Sequence, residues 1–342
     1  MKRGLVLLDP AEVPEREWRR RVGALRERIA ADGIDVALVY GDVFRSDDIA
    51  YLTNLCVYWN EGVLAVPATG EPTFLTKLSP RVYPWLRRVS TVEDIRSGRN
   101  FADLVAAYLA DRPDARVGIV DAGLWPESVL EQLAARLGGH RVRELGGLVR
   151  DLRLAPAAPE AGLLRTAGAL LDQAATAAAA PGLGVPERVS VAERTLRWGG
   201  YLDVLTQPSA TTDGVSSLRI TGQYRTCWLQ AARLSGQAPW TARLTAALDA
   251  AIAAVRPGVT GADLRAAAGT LPAGGELNWV HQADLSTNGE YAHADPAAVL
   301  AEGAVLALAA DVLFDDGGYA VVADTVLVTG AGQETLTRGG AT

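Results

Sequence analysis

The sequence predicts two domains: an α/β domain over residues 1–150 and, over 151–342, a domain built of two similar halves. Three observations carry this. Over the first stretch, amphipathic helical patterns alternate with short aliphatic runs, the order expected of helices layered on a sheet. From about residue 148 that alternation gives way to a long helical pattern rich in Ala and Leu. Segments 177–196 and 251–269 then echo each other, each with a helix, a Pro-Gly turn, a Val and a new helix start. Self-similarity at a spacing of about seventy residues indicates two pseudo-symmetric halves.

Taken in order, residues 14–32 put Trp18, Val22, Leu25 and Ile29 on one helical stripe, with Pro14 at the first turn. DVALVY (35–40) reads as a buried strand. Segments 51–57 and 62–66 read as further strands, the second closed by a turn over 68–72. A helix over 101–112, a strand over 117–120 and a helix over 127–137 complete the first domain. In the second, Pro186 opens one helix, and Thr260 with Asp263 marks the start of another. The Ala-rich run 174–180 is helix rather than linker. Segment 218–233 reads as two short β runs flanking a turn at Thr221 and Gly222.

Composition excludes several classes. Apolar residues at 49% and charged residues at 21% are ordinary for a globular protein. A net charge of −7, with no basic cluster standing free of acids, argues against a nucleic-acid binder. Lys2 and Lys77 are the only lysines, so nearly every cation is Arg. Cys56 and Cys227 offer no CxxC and no disulfide framework. The apolar run 4–8 stops at Asp9-Pro10, too short for a signal peptide, and no run approaches the ~20 residues of a membrane span. The expectation is a cytoplasmic protein. No P-loop, HExxH or G-x-S-x-G occurs, and Gly330-Ala331-Gly332 lacks the third glycine of a dinucleotide fingerprint, so no cofactor is expected.

The stretch 218–233, LRITGQYRTCWLQAAR, resembles the first metal-binding hairpin of the creatinase / aminopeptidase P / proline dipeptidase (M24, pita-bread) family, D-x-G-x-x-Y-x-G-Y-x-x-D-x-x-R. Tyr224 and Arg233 match, Gly222 falls one place late, and the two Asp positions are Arg219 and Gln230. Tyr51-Leu52-Thr53 is similar to the family's Tyr-Leu-Thr-Gly segment. Arg150, Glu160, Arg165 and Ala167 match its entry helix. Segment 300–337 resembles the closing L-x-x-G-M-V-F-T-I-E-P-G … E-D-T-V-L-V-T hairpin. The run Asp324-Thr325-Val326-Leu327-Val328-Thr329 is its most specific match, and its two Glu positions are Ala309 and Ala323. NWVHQADL (278–285), laid on T-G-H-G-I-G-L, puts His281 at the metal-binding His, and His293 is similar to the family's second His at a longer spacing. The resemblance implies an α/β creatinase N-terminal-like domain, an α+β pita-bread domain with two pseudo-symmetric halves, and a homodimer.

Chemistry departs from the frame. Four carboxylates of a two-metal site are replaced by a guanidinium, an amide and two methyl groups, none of them the oxygen anion that hard dications need. The expectation is no metal. Arg219 either anchors a substrate carboxylate bidentately or pairs with Asp213 or Asp324. His281 is either the acid–base group or a structural His bonded to backbone. Asp284, Glu290, Tyr291 and His293 share its segment and could share its work. Gln230, Tyr224, Arg233 and Asp324 join Arg219 as candidate substrate contacts. So do Trp59 and Glu61, from a region that in this family often reaches a neighbouring subunit's pocket. The leading expectation is a metal-independent enzyme acting on a small polar or anionic substrate by His-assisted acid–base chemistry. Creatinase-like C–N hydrolysis, or an elimination or cyclisation in a biosynthetic pathway, would fit. The rival is a non-catalytic pita-bread pseudoenzyme that binds a peptide or protein partner. An Xaa-Pro-type metallopeptidase, reduced to a single metal on His281, ranks third.

Overall fold

The computed structural model describes residues 7–57, 61–138, 141–285 and 295–338. The chain divides into two compact units, Lys2–Arg153 and Leu154–Thr342.

The first unit runs α1 (Glu15–Ala31), β1 (Val36–Asp42), α2 (Asp47–Thr53), β2 (Glu61–Pro67), β3 (Thr73–Thr76), α3 (Tyr83–Val89), β4 (Asp94–Ser97), α4 (Phe101–Tyr108), β5 (Arg116–Val120), α5 (Glu127–Arg136), β6 (Arg141–Leu145) and α6 (Leu148–Leu152). Its six-stranded sheet has the order β4-β3-β2-β1-β5-β6, with β2 antiparallel to both neighbours. Both faces are covered, which is why β1 is a continuous apolar run rather than an alternating one. Val22, Leu25, Ile29, Leu52, Leu86 and Val149 pack on Ala37, Val39 and Leu64 from one side. Phe101, Val105, Val129 and Leu133 pack on Val36, Leu38 and Val63 from the other.

The strand expected over 51–57 is not formed. Residues 47–53 are helix α2, with Asp47 and Asp48 in the first turn, where the helix dipole favours anions. Asn54 ends it in the left-handed region, at φ 65°. A short apolar run with a β-branched end suits either element, and burial of Ile49 through Thr53 decided for helix. The helix expected over 101–112 ends at Tyr108.

The second unit runs α7 (Ala158–Ala178), α8 (Val185–Trp198), β7 (Asp203–Ala210), β8 (Ser216–Tyr224), β9 (Cys227–Ser235), α9 (Thr241–Ala254), α10 (Gly261–Ala268), β10 (Gly275–His281), β11 (Val305–Leu313), β12 (Tyr319–Thr329) and β13 (Gly332–Thr335). The echo in the sequence is the pair α7–α8 and α9–α10, each followed by its own strands. The sheet order is β10-β11-β12-β9-β8-β7, with β13 on β12. The two halves meet at β9 and β12, where one register pair, Ala232 opposite Ala323, joins them. Helices cover one face: Leu244, Leu248 and Leu264 pack on Leu277, Trp279, Leu306, Leu308, Ala320, Val322 and Val326.

The β8–β9 turn falls at Arg225 and Thr226, between the paired Tyr224 and Cys227, and not at Thr221 and Gly222. Arg225 takes the positive φ of 54° that the turn needs. Gly222 lies inside β8 for a different reason. A Cβ there would sit 2.6 Å from Cε1 of Tyr201, so the ring's close approach requires glycine.

Candidate functional site

Side chains alternate between the two faces of a strand, so register fixes what the face opposite the helices presents. Arg219 lies opposite Ala232, Ala232 opposite Ala323, Ala323 opposite Ala309 and Ala309 opposite Asn278, one row across five strands. Ala232, Ala309, Ala323 and Val321 form a buried apolar floor on this face. Gln230 is on the same face, opposite Thr221. The four positions Arg219, Gln230, Ala309 and Ala323 are therefore brought together, although they span more than a hundred residues of sequence.

Two polar groups border the floor. At one edge the Arg219 guanidinium donates from Nη2 to the Tyr319 hydroxyl at 2.6 Å, and that hydroxyl donates to Asp311 Oδ2 at 3.1 Å. Asp311 also accepts from Asn278 Nδ2 at 3.3 Å and lies 3.7 Å from Arg219 Nη2. Burial pushes the Asp311 carboxyl up from its ordinary range. The Tyr319 hydrogen bond, the Arg219 charge and Asn278 oppose that rise, and Glu276 adds to it. Arg219 is buried, while Asp311, Tyr319 and Asn278 are half-buried. At the other edge Gln230 Nε2 donates to Thr221 Oγ1 at 2.9 Å. The Gln230 backbone exchanges hydrogen bonds with Thr325 Oγ1 at 2.9 and 2.8 Å.

The remaining expected residues fall elsewhere. Arg233 and Asp324 are on the helix-covered face, one residue out of phase with the floor. Arg233 joins Asp172 of α7 at 2.8 Å and Asp324 at 2.9 Å, and Asp324 also accepts from Thr337 and Arg338. They lock strands to helices and cannot reach the group that holds Arg219. Tyr224 is at the far tip of the hairpin, packed on Tyr201 with ring centroids 5.5 Å apart. Glu61 opens β2 and is held by the Tyr40 hydroxyl at 2.8 Å and Lys77 at 2.7 Å, inside the first unit. His281 ends β10 with both ring nitrogens engaged. Nε2 contacts the Leu154 carbonyl at 2.8 Å, and Nδ1 accepts from the Ala283 N–H at 3.1 Å. That pattern fixes the Nε2–H tautomer and makes His281 a cap on the turn that contains Asp284. Trp59, Glu290, Tyr291 and His293 lie outside the described residues.

Asp311, Tyr319 and Asn278 are the site residues that sequence reasoning missed. One signal was present: Asp311 stands where the resembled I-E-P-G pattern has its glycine.

Residues 21–155 match the model of the Creatinase/Prolidase N-terminal domain. The first unit belongs to the creatinase/prolidase family. The chain as a whole has the prolidase fold, a creatinase N-terminal domain followed by a pita-bread domain. It is similar to recombinant prolidase from Thermococcus sibiricus, with a TM-score of 0.76, 16% identity and 94% and 97% of the two chains covered. For the Xaa-Pro dipeptidase from Bacillus anthracis the TM-score is 0.75, with 16% identity and coverage of 94% and 98%. For dipeptidase PepE from Mycobacterium ulcerans it is 0.72, with 22% identity and coverage of 97% and 97%. No curated protein matches the chain by sequence.

The metal pair implied by resemblance to creatinase/prolidase hairpins does not fit the residues present. The floor is apolar, and the charged groups at its edge are a cation, Arg219, and one carboxyl, Asp311, that is held by Arg219, Tyr319 and Asn278. The Gln230 amide is already committed to Thr221. Among the described residues, no three of His, Cys, Asp or Glu gather as a metal site. No described helix is long and apolar enough to cross a membrane.

Proposed function

We propose that this creatinase/prolidase-fold protein acts without a metal pair on a small polar molecule, bound over the alanine floor at Asp311, Tyr319 and Asn278. The observation that carries the reading is the hydrogen-bonded chain Arg219–Tyr319–Asp311–Asn278, which starts at one position where the resemblance places a metal ligand, Arg219, and runs beside two others, Ala309 and Ala323. Arg219 is buried beneath the group, so it orients Tyr319 and balances Asp311 rather than meeting substrate itself. Asp311 is a carboxyl with its pKa displaced upward and a hydroxyl donor beside it, the combination suited to general acid–base work. In this reading it replaces His281 as the proton-handling group. The substrate it favours carries amide, hydroxyl or amine donors, as C–N hydrolysis, elimination or cyclisation all allow.

The engagement of both His281 nitrogens favours a second reading, a non-catalytic protein that binds a partner. One experiment separates the two and tests the metal question. The purified protein is assayed for bound metal and for hydrolysis of Xaa-Pro dipeptides with added Mn²⁺. A panel of small amides, amines and guanidino compounds is then screened by thermal shift on the wild type, Tyr319→Phe and Asp311→Asn. The expected result is little metal, no Xaa-Pro turnover, and a stabilising ligand whose effect both variants lose. Stoichiometric metal with dipeptide hydrolysis would sink the proposal. A panel without effect on the wild type would favour the partner-binding reading.

A further inference from the structure

The seam between the two halves of the second sheet is thin in backbone terms, because β9 and β12 share a single register pair. Side chains supply what the ladder lacks. On the helix-covered face Arg233 Nη1 donates to the Ala323 carbonyl at 3.0 Å, and Arg233 meets Asp324. On the face opposite the helices Ser217 Oγ accepts from the Val321 N–H at 3.1 Å, and Gln230 is tied to Thr325. A further link is Arg219. It starts on β8 in the first half and ends on Tyr319 and Asp311, from β12 and β11 in the second. Its path crosses the row of alanines, whose small side chains leave room for it.

We infer that Arg219 is an internal cation that bridges the two halves of the second sheet, filling the electrostatic place of a metal pair, on a strand register that still matches a metal frame. The inference rests on the metal-free reading above. A dication gathering carboxylates from both halves and a guanidinium gathering a carboxylate and a phenol do the same mechanical job. Each balances carboxylate charge and holds the halves at one spacing. The frame persists because Ala309 and Ala323 are directly opposed, Ala232 adjoins Ala323, and positions 219 and 230 share their face. Directly opposed strand residues have their Cβ atoms about 5 Å apart, close enough for carboxylates placed there to share an ion.

The bridge is tested by a cycle of Arg219→Met, Asp311→Leu and the double variant, read by thermal denaturation of the full chain. The expected result is that Arg219→Met alone melts lowest, because it strands Asp311, and that the double variant melts above it. Additive losses would overturn the bridge. The frame is tested by Arg219→Asp, Gln230→Asp, Ala309→Glu and Ala323→Glu combined, in equilibrium dialysis against Mn²⁺ or Zn²⁺. The combined variant should take up about one to two equivalents and melt several degrees higher with metal than without, while the wild type retains under about a tenth of an equivalent. A combined variant that is folded yet binds no metal overturns the frame alone. Stoichiometric metal in the wild type overturns the metal-free reading itself. If the combined variant does not fold without metal, refolding in Mn²⁺ decides the same question: a frame that matches is rescued by the ion, and failure of rescue overturns it.

Discussion

Asp311 is the residue on which both the chemistry and the electrostatics of the site turn. Its pKa is raised in the folded chain, chiefly by burial. A carboxyl raised above its unfolded value stabilises the fold most below that unfolded value, and loses the stabilisation as pH climbs through the folded value. The melting temperature of the wild type, minus that of Asp311→Asn, should therefore fall as pH rises from about 4 toward neutrality. A flat or rising difference would show that the Arg219 charge outweighs burial. Tyr319→Phe keeps the ring but removes the hydroxyl that donates to Asp311 and accepts from Arg219. That leaves two charged groups 3.7 Å apart with their intermediary gone. A loss of about 1–2 kcal/mol is expected in urea denaturation, and Asp311 should titrate higher still, since the hydrogen bond that lowers its pKa disappears.

Elements obey the same competition between local preference and packing. Gly168, within α7, would place a Cβ 2.1 Å from the Leu336 carbonyl oxygen, a backbone atom that cannot turn aside. Gly162, in the same helix, has nothing within 4 Å of a Cβ. Helix propensity alone favours Ala over Gly by about 1 kcal/mol at either place. Overpacking costs typically about 1–3 kcal/mol, or more against a rigid neighbour. Gly168→Ala should therefore destabilise and Gly162→Ala should stabilise or be neutral, in paired denaturant titrations. Equal effects would mean that α7 shifts freely against Leu336. Period and capping make many of these elements readable in advance, as with the Trp18–Ile29 stripe and the Thr260–Asp263 cap. The failures have physical causes. Residues 51–53 lack the length that separates helix from strand, and Gly222 reads as a turn because its true constraint, the Tyr201 ring, comes from another element. In the site, Arg219 and Gln230 can be found from a motif. The partners of Arg219, Tyr319 and Asp311, come from strands of the other half of the sheet, Tyr319 lying 100 residues away, and pairing across a sheet leaves little local trace. Arg233 and Asp324 are different, since each directly follows a floor position, Ala232 or Ala323, and strand alternation alone puts both on the opposite face.

At the scale of the whole molecule, the boundary between the units is itself testable. A cut after residue 150 follows the change of pattern in the sequence, whereas the compact units divide after Arg153. The three residues between matter to the first unit. The Leu152 carbonyl accepts from the Tyr51 hydroxyl at 3.0 Å, and Arg153 Nη1 meets Asp48 Oδ1 at 3.0 Å, with the arginine side chain buried. Burial raises the Asp48 pKa and the Arg153 charge opposes that rise, so without Arg153 the carboxyl keeps its desolvation and loses the cation that offsets it. Breaking a partly buried pair in this way costs on the order of 2 kcal/mol, and losing the Tyr51 hydrogen bond adds about 1 kcal/mol. A fragment of residues 2–153 should unfold cooperatively in urea, since its sheet has cores of its own on both faces. A fragment of residues 2–150 should unfold at clearly lower urea, and the gap should narrow at acid pH, where protonated Asp48 no longer needs its partner. Equal midpoints at neutral pH would place the boundary at 150 and make the Arg153 pair dispensable.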